Sequence, residues 1–149
     1  MKQSRVDGDF VLIPLGGETY GYGRVLPDAV VAFYDAFDRG KKSVDELPGS
    51  KILFRIPVMD HAIKNCRWPV IGHLPLEQGL RQPARFFLVD KLKKGDYRIY
   101  ENGVIRRATR QECIGLENAA VWEPEQVEDR LRDHIAERPN KWVEALKLV

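Results

Sequence analysis

Three short apolar runs separated by turn-forming residues fill the chain before Asp35, and they limit its N-terminal end to a meander of β-strands. Phe10 to Leu15 reads as the first strand. Gly16-Gly17-Glu18 supplies a turn whose residues tolerate positive φ, and Thr19 to Leu26 returns antiparallel. Pro27-Asp28 then turns the chain into Ala29 to Tyr34. Gly21 and Gly23 share one face by the period of two, so that face can lie close against another backbone or a bulky ring. This pattern predicts a small antiparallel β-barrel or a strongly twisted sheet.

The polar stretch Asp38 to Ser50, with Gly40, Pro48 and Gly49, predicts a mobile loop. Lys51 to Val58 follows as a buried strand, and Asp60 to Lys64 suits one helical turn. In Arg67 to His73 the position of Pro69 predicts an edge strand or a strand start. Phe86 to Lys91, Tyr97 to Glu101 and Val104 to Arg107 add three strands, the last two joined by Asn102-Gly103, a strong hairpin signal. Helix enters only near the end. Pro124 opens a segment in which Val127, Leu131 and Ile135 recur every four residues, ending before Pro139. Asn140 can cap a second short helix carrying Trp142, Val143 and Leu146. The chain of 149 residues has room for one core and not comfortably for two, so a single sheet-rich α+β domain over 1–149 with short C-terminal helices is expected.

No apolar run approaches the ~18 residues that span a bilayer, and Met1-Lys2-Gln3-Ser4-Arg5 leads into charged sequence, so a cytoplasmic protein without membrane partners is expected. Cys66 and Cys113 match neither a metal motif nor a disulfide framework and are expected to be free, buried thiols. The net charge of +2 conceals an uneven distribution. Lys and Arg outnumber Asp and Glu by 9 to 3 over residues 81–110, whereas acids lead by 9 to 5 over 111–149.

That basic middle admits a nucleic-acid-binding module as one reading. Arg81, Arg85, Lys91, Lys93, Lys94, Arg98, Arg106, Arg107 and Arg110 lie in one hairpin-rich stretch beside Tyr97 and Tyr100, a combination able to bind phosphates and stack bases. Against it, the pI of about 8.5 falls below the value above ~9 typical of such domains, and charge runs commonly mark solvated strand edges. The same patch can meet an acidic protein surface by electrostatic steering.

Catalytic constellations are scarce. His61, His73 and His134 are scattered, with no pair at helical spacing. Cys66 and His73 flank one strand, but seven extended residues separate them by roughly 20 Å. Gly16, Gly17, Gly21 and Gly23 lie between strands and lack the Lys-Ser/Thr ending of a phosphate loop, and Gly40-Lys41-Lys42-Ser43 has Asp35 where the earlier glycine should stand. The expectation is a non-enzyme with no metal and no cofactor.

The residues that organise the first strands also carry a likeness. Gly8-Asp9-Phe10-Val11-Leu12-Ile13-Pro14-Leu15, Tyr20-Gly21-Tyr22-Gly23-Arg24-Val25-Leu26 and Val31-Ala32-Phe33-Tyr34-Asp35 resemble the opening of the family called immunity protein 26. Leu53-Phe54-Arg55-Ile56, Trp68-Pro69-Val70-Ile71-Gly72, Glu112-Cys113, Gly115-Leu116-Glu117 and Ala120-Val121-Trp122 continue it in order, over roughly residues 8 to 135. The resemblance implies a bacterial protein that binds and neutralises a cognate polymorphic toxin domain, protecting the producing cell without catalysis.

A one-partner inhibitor draws its affinity from a few aromatic or arginine anchors. The candidates are Tyr22, Arg24, Tyr34, Arg55, Trp68 and Trp122, although Trp68 and Trp122 lie in apolar runs that also suit a core. Arg24 and Arg55, each within an apolar strand, must face solvent by alternation or pair with an acid such as Asp9 or Asp35.

Overall fold

The N-terminal runs form the meander that their turns dictate. In a computed structural model, which describes residues 2–149, β1 (Asp9–Pro14), β2 (Tyr20–Val25) and β3 (Val30–Tyr34) pair antiparallel in chain order. Gly16 and Gly17 take positive φ at the first turn. Two later strands extend this sheet, β4 (Ile52–Pro57) beside β3 and β5 (Val70–His73) beside β1, giving the order β4-β3-β2-β1-β5. The strand that follows Pro69 thus lies at an edge, where proline costs no ladder hydrogen bond.

A second sheet contains β6 (Arg85–Val89), β7 (Tyr97–Glu101), β8 (Val104–Ala108) and the two-residue β9 (Glu117–Asn118), in the order β8-β7-β6-β9. Only the β6–β9 pairing in it is parallel. In neither sheet do the two edge strands pair with each other, so of the two forms expected, a small barrel or a strongly twisted sheet, no closed barrel is found among the described residues, which form two open sheets. The reason lies in what covers the first sheet. One face carries Val11, Ile13, Val25, Val31, Phe33 and Ile56, packed with Trp68, Trp122, Val127 and Leu131. The other face carries Phe10, Tyr22 and Tyr34 under Leu47, and Val30 and Ala32 under Leu80 and Phe86. With both faces covered by other elements, β3 is buried at all five positions, and curling into a barrel is not needed to remove them from water.

Among the described residues a 3-10 turn at Leu47–Gly49 and five α-helices complete the fold: α1 (His61–Lys64), α2 (Gln78–Arg81), α3 (Arg110–Cys113), α4 (Pro124–Ile135) and α5 (Lys141–Leu146). Two of them, α2 and α3, fall where no helix was expected. A single turn leaves too short a periodicity to read, although the Thr109/Glu112 capping box marks the start of α3. In α4, Val127 and Leu131 are buried but Ile135 stays 45% exposed, so the apolar stripe ends one turn early. Gly21 lets this helix approach, since a Cβ there would sit 3.3 Å from the Phe37 ring and 3.5 Å from Leu131. The 38–50 segment is pinned, contrary to expectation. Leu47 is fully buried, Val44 packs where a Gly72 Cβ would be, and Asp38 accepts from the Gly40 N–H at 2.8 Å.

Arg24, at 0% exposure, ties the layers together. Because both faces of its sheet are covered, alternation offers its side chain no route to water. The Nε donates to the Gly8 carbonyl at 2.7 Å, while Nη2 donates to the carbonyls of Leu74 at 2.8 Å and Pro75 at 3.0 Å. From Nη1 the bonds run to Tyr34 Oη at 3.2 Å and to the Glu77 carboxylate at 3.1 and 3.2 Å. The guanidinium also sits 4.1 Å from the Phe10 ring centroid, a cation–π contact. Neither Asp9 nor Asp35 is its partner, as each instead pairs with a histidine, His73 and His134. Gly8 makes the clamp possible. Its φ of 97° suits glycine, and a Cβ there would come within 2.5 Å of the Leu74 carbonyl oxygen.

Removing this guanidinium orphans the carbonyls of Leu74 and Pro75 and leaves that of Gly8 only the Leu74 N–H at 3.3 Å, so Arg24→Met is expected to cost about 3–5 kcal/mol in denaturant unfolding. Glu77, 44% exposed, can hydrate without its partner. Glu77→Gln is therefore expected to cost about 1 kcal/mol or less, and equal losses for the two variants would show that the ion pair, not the carbonyl clamp, carries the stability.

Candidate protein-binding surface

Five of the six candidate anchors lie inside the fold: Tyr22, Arg24, Tyr34, Trp68 and Trp122 are all 2% exposed or less. Trp68 is held by a buried acid, since its Nε1 donates to Glu128 at 2.9 Å and the same carboxylate takes two bonds from Arg67 at 2.7 and 2.8 Å. Those charge-assisted bonds explain how Glu128, on α4, remains buried among apolar neighbours. Trp122 and Phe54 stack on the two contacts of the Arg130 guanidinium, at 5.2 and 3.6 Å, and Arg130 forms a bidentate pair with Glu117. Tyr34 packs on Phe10, with ring centroids 6.1 Å apart, and its phenol is pushed up by burial although Arg24 pulls the other way. Such groups hold the scaffold, and as folded they offer a partner no surface.

Tyr22 has a further task. Its hydroxyl donates to Asp38 Oδ1 at 2.6 Å and accepts from the Lys42 N–H at 3.0 Å, fixing the loop to β2. Burial together with the Asp38 carboxylate pushes this phenol up to about 12. Burial alone would raise Asp38, but the bonds from Tyr22 and from the Gly40 and Lys41 amides outweigh it and hold the carboxyl below its usual range.

The remaining chemical groups are occupied in pairs. His73 Nδ1 lies 2.8 Å from Asp9, His61 Nε2 lies 2.9 Å from Glu123 and His134 Nε2 lies 3.2 Å from Asp35. His73 is thus turned to Asp9. Cys113 is buried as expected, and burial pushes its thiol up, away from the reactive thiolate. Cys66 is only half-buried and takes a positive φ of 62°. Among the described residues no three His, Cys, Asp or Glu side chains gather as metal ligands would.

Arg55, the sixth anchor, reaches the surface. It lines a cleft of about 210 Å³ with Leu26, Val30, Leu80, Arg81 and Asn102, between the first sheet and the β7–β8 turn. Its Nη2 donates to the Gln82 carbonyl at 3.1 Å, and burial lowers its pKa. Asp28 at the same cleft and Ala29 after it take φ of 64° and 60°, a left-handed pair without glycine, and Tyr100 Oη donates to Asp28 at 2.6 Å. The basic stretch divides between the faces of the second sheet: the register puts Arg85 and Arg106 on one and Arg98 and Arg107 on the other. Arg98 and Arg106 are neutralised by Asp96 and Glu112. Next to them, Val104 and Ile105 of β8 are 65% and 52% exposed.

The model of the family described as immunity protein 26 matches residues 6–98, well over half the chain. This chain belongs to that family. The match takes in the whole first sheet of this immunity protein 26 family member, the Arg24 clamp, β6 and the start of β7. Searches among curated proteins and among solved structures returned no match. No helix among the described residues is long and apolar enough to cross a membrane.

Tyr22→Phe removes a buried hydroxyl and is expected to cost about 1–2 kcal/mol at pH 7. Asp38 has a depressed folded pKa, so its contribution is present above the ordinary carboxylate range and is lost as pH falls through the folded value. The gap between wild type and variant in urea midpoint is therefore expected to shrink below about pH 4. A gap that stays constant or grows with acidification contradicts the assignment.

Proposed function

We propose that this protein is an immunity protein that binds a cognate toxin domain and blocks its active or docking site, without turnover. Membership of the immunity protein 26 family carries this reading. The geometry supports it: the aromatic residues and Arg24 expected as anchors are taken up inside the scaffold, while the arginines and apolar residues left outside suit a protein partner. Arg55 is the one anchor among the six proposed to touch that partner, through the cleft it shares with Arg81. The cell keeps such a protein in the compartment where the toxin would act on its producer, which the proposal takes to be the cytoplasm. A nucleic-acid role is not favoured, since the four arginines on the second sheet are split between its two faces and two of them are paired with acids.

Where a gene for a large secreted protein lies beside this one, co-expression of this protein with that protein's toxic C-terminal domain is expected to restore growth. Failure to rescue cells from a domain shown to be toxic would contradict the proposal. Arg55→Ala should weaken protection while leaving the thermal transition near that of wild type. Full protection by that variant would remove Arg55 from the contact.

A further inference from the structure

Each of the two sheets ends in two edge strands, and three of the four are covered or short. The outer side of β4 lies against the segment containing β9, with Val58 bridged to Trp122 just beyond it. β5 has four residues after a proline, and β9 has two. Only β8 presents a five-residue edge, exposed at its first four positions. Its sequence Val-Ile-Arg-Arg-Ala does not alternate, as befits a strand with no fully buried face.

The turn fixes which backbone groups of β8 are open. Glu101 pairs with Val104 across the two-residue turn Asn102-Gly103, whose φ of 49° and 84° are both positive, as a type I′ hairpin requires. In such a hairpin the pair flanking the turn exchanges both hydrogen bonds, and the pattern alternates from there. Val104, Arg106 and Ala108 therefore bond inward to β7, while the N–H and C=O of Ile105 and Arg107 point outward. Of these outward groups only the Arg107 carbonyl has a partner among the described residues, the Arg106 guanidinium at 3.3 Å.

Charge selects the occupant. Lys93, Lys94 and Arg107 line one depression beside the strand, with Asp96 as its single acid. Lys93, Lys94 and Arg107 make no salt bridge among the described residues, whereas Arg106 is held by Glu112. A second copy of this chain is a poor occupant, because antiparallel self-pairing centred on Arg106 places like arginines opposite each other. We infer that β8 is the docking edge for an extended acidic segment of the toxin domain, which adds to the second sheet as a fifth strand through the outward backbone groups of Ile105 and Arg107. This rests on the immunity reading. Main-chain bonds supply affinity in such strand addition, and flanking side chains supply selectivity.

Hydrogen exchange on the full chain, alone and with the neighbouring toxin domain, tests it. In the free protein the amides of Ile105 and Arg107 should exchange rapidly while that of Arg106 is protected, and in the complex both should slow at least tenfold. Arg107→Pro removes an outward N–H, a loss an edge strand tolerates, together with the Arg107 guanidinium, and should weaken toxin binding at least tenfold. Should that variant misfold, the reversal of Lys93, Lys94 and Arg107 to Glu leaves the backbone unchanged and should weaken binding to a similar degree. Wild-type binding with no new protection at Ile105 and Arg107, or unimpaired binding by the charge-reversed variant, would overturn the docking edge while leaving the immunity reading intact. No wild-type binding to a toxic neighbouring domain would overturn both, and protection of these amides by a single-stranded RNA oligonucleotide instead would make the occupant a nucleic acid.

Discussion

A guanidinium with no access to water cannot be left unpaired, and the fold is arranged around satisfying Arg24. Its partners come from three separated stretches: Gly8 before β1, Tyr34 at the end of β3, and the Leu74–Glu77 segment that leaves β5. Holding these together fixes the route of the chain from the first sheet to the second, because that segment runs directly into α2 and β6. Glu128 plays the matching part on the opposite face, where it joins α4 to Trp68 and Arg67. Buried charges of this kind add little net stability over apolar substitutes, but each is satisfied in few arrangements of the chain.

Local signals made much of the first sheet readable. The glycine and proline turns gave β1 to β3 in order, Pro69 placed β5 at an edge, and Asn102-Gly103 set the β7–β8 hairpin. What escaped was the second cover on that sheet. A period of two says which residues share a face, and it is silent on whether water or another layer lies beyond. Tyr22, Arg24 and Tyr34 therefore looked like surface anchors when Leu47 and the 74–77 segment in fact bury them. Glu77 and Glu128 were missed for the same reason, since their partners lie 53 and 60 or more positions away and no local pattern announces them. The polarity of residues 38–50 similarly suggested a free loop, because Leu47, Val44 and the Tyr22–Asp38 bond are tertiary anchors.

The surface feature that survives is a backbone one. Side chains selected as anchors by type turned out to build the scaffold, whereas β8 was visible only as a basic strand and becomes informative once its outward amides and bare edge are placed in three dimensions. Exposed edges invite unwanted pairing, and arginines on the strand are one way to discourage it between like copies. The same arginines leave the edge open to a segment of opposite charge. Clamped sheets behind it keep that edge in position, so a partner need not pay for ordering it.

This member of the immunity protein 26 family is proposed to act by occupying its target. Titrating purified protein into a fixed concentration of the active toxin domain, well above the dissociation constant, reads this directly. Occupancy one to one should give a linear fall in toxin activity to a break at one equivalent, independent of incubation time. Progressive loss of activity at substoichiometric amounts would reveal turnover and contradict it.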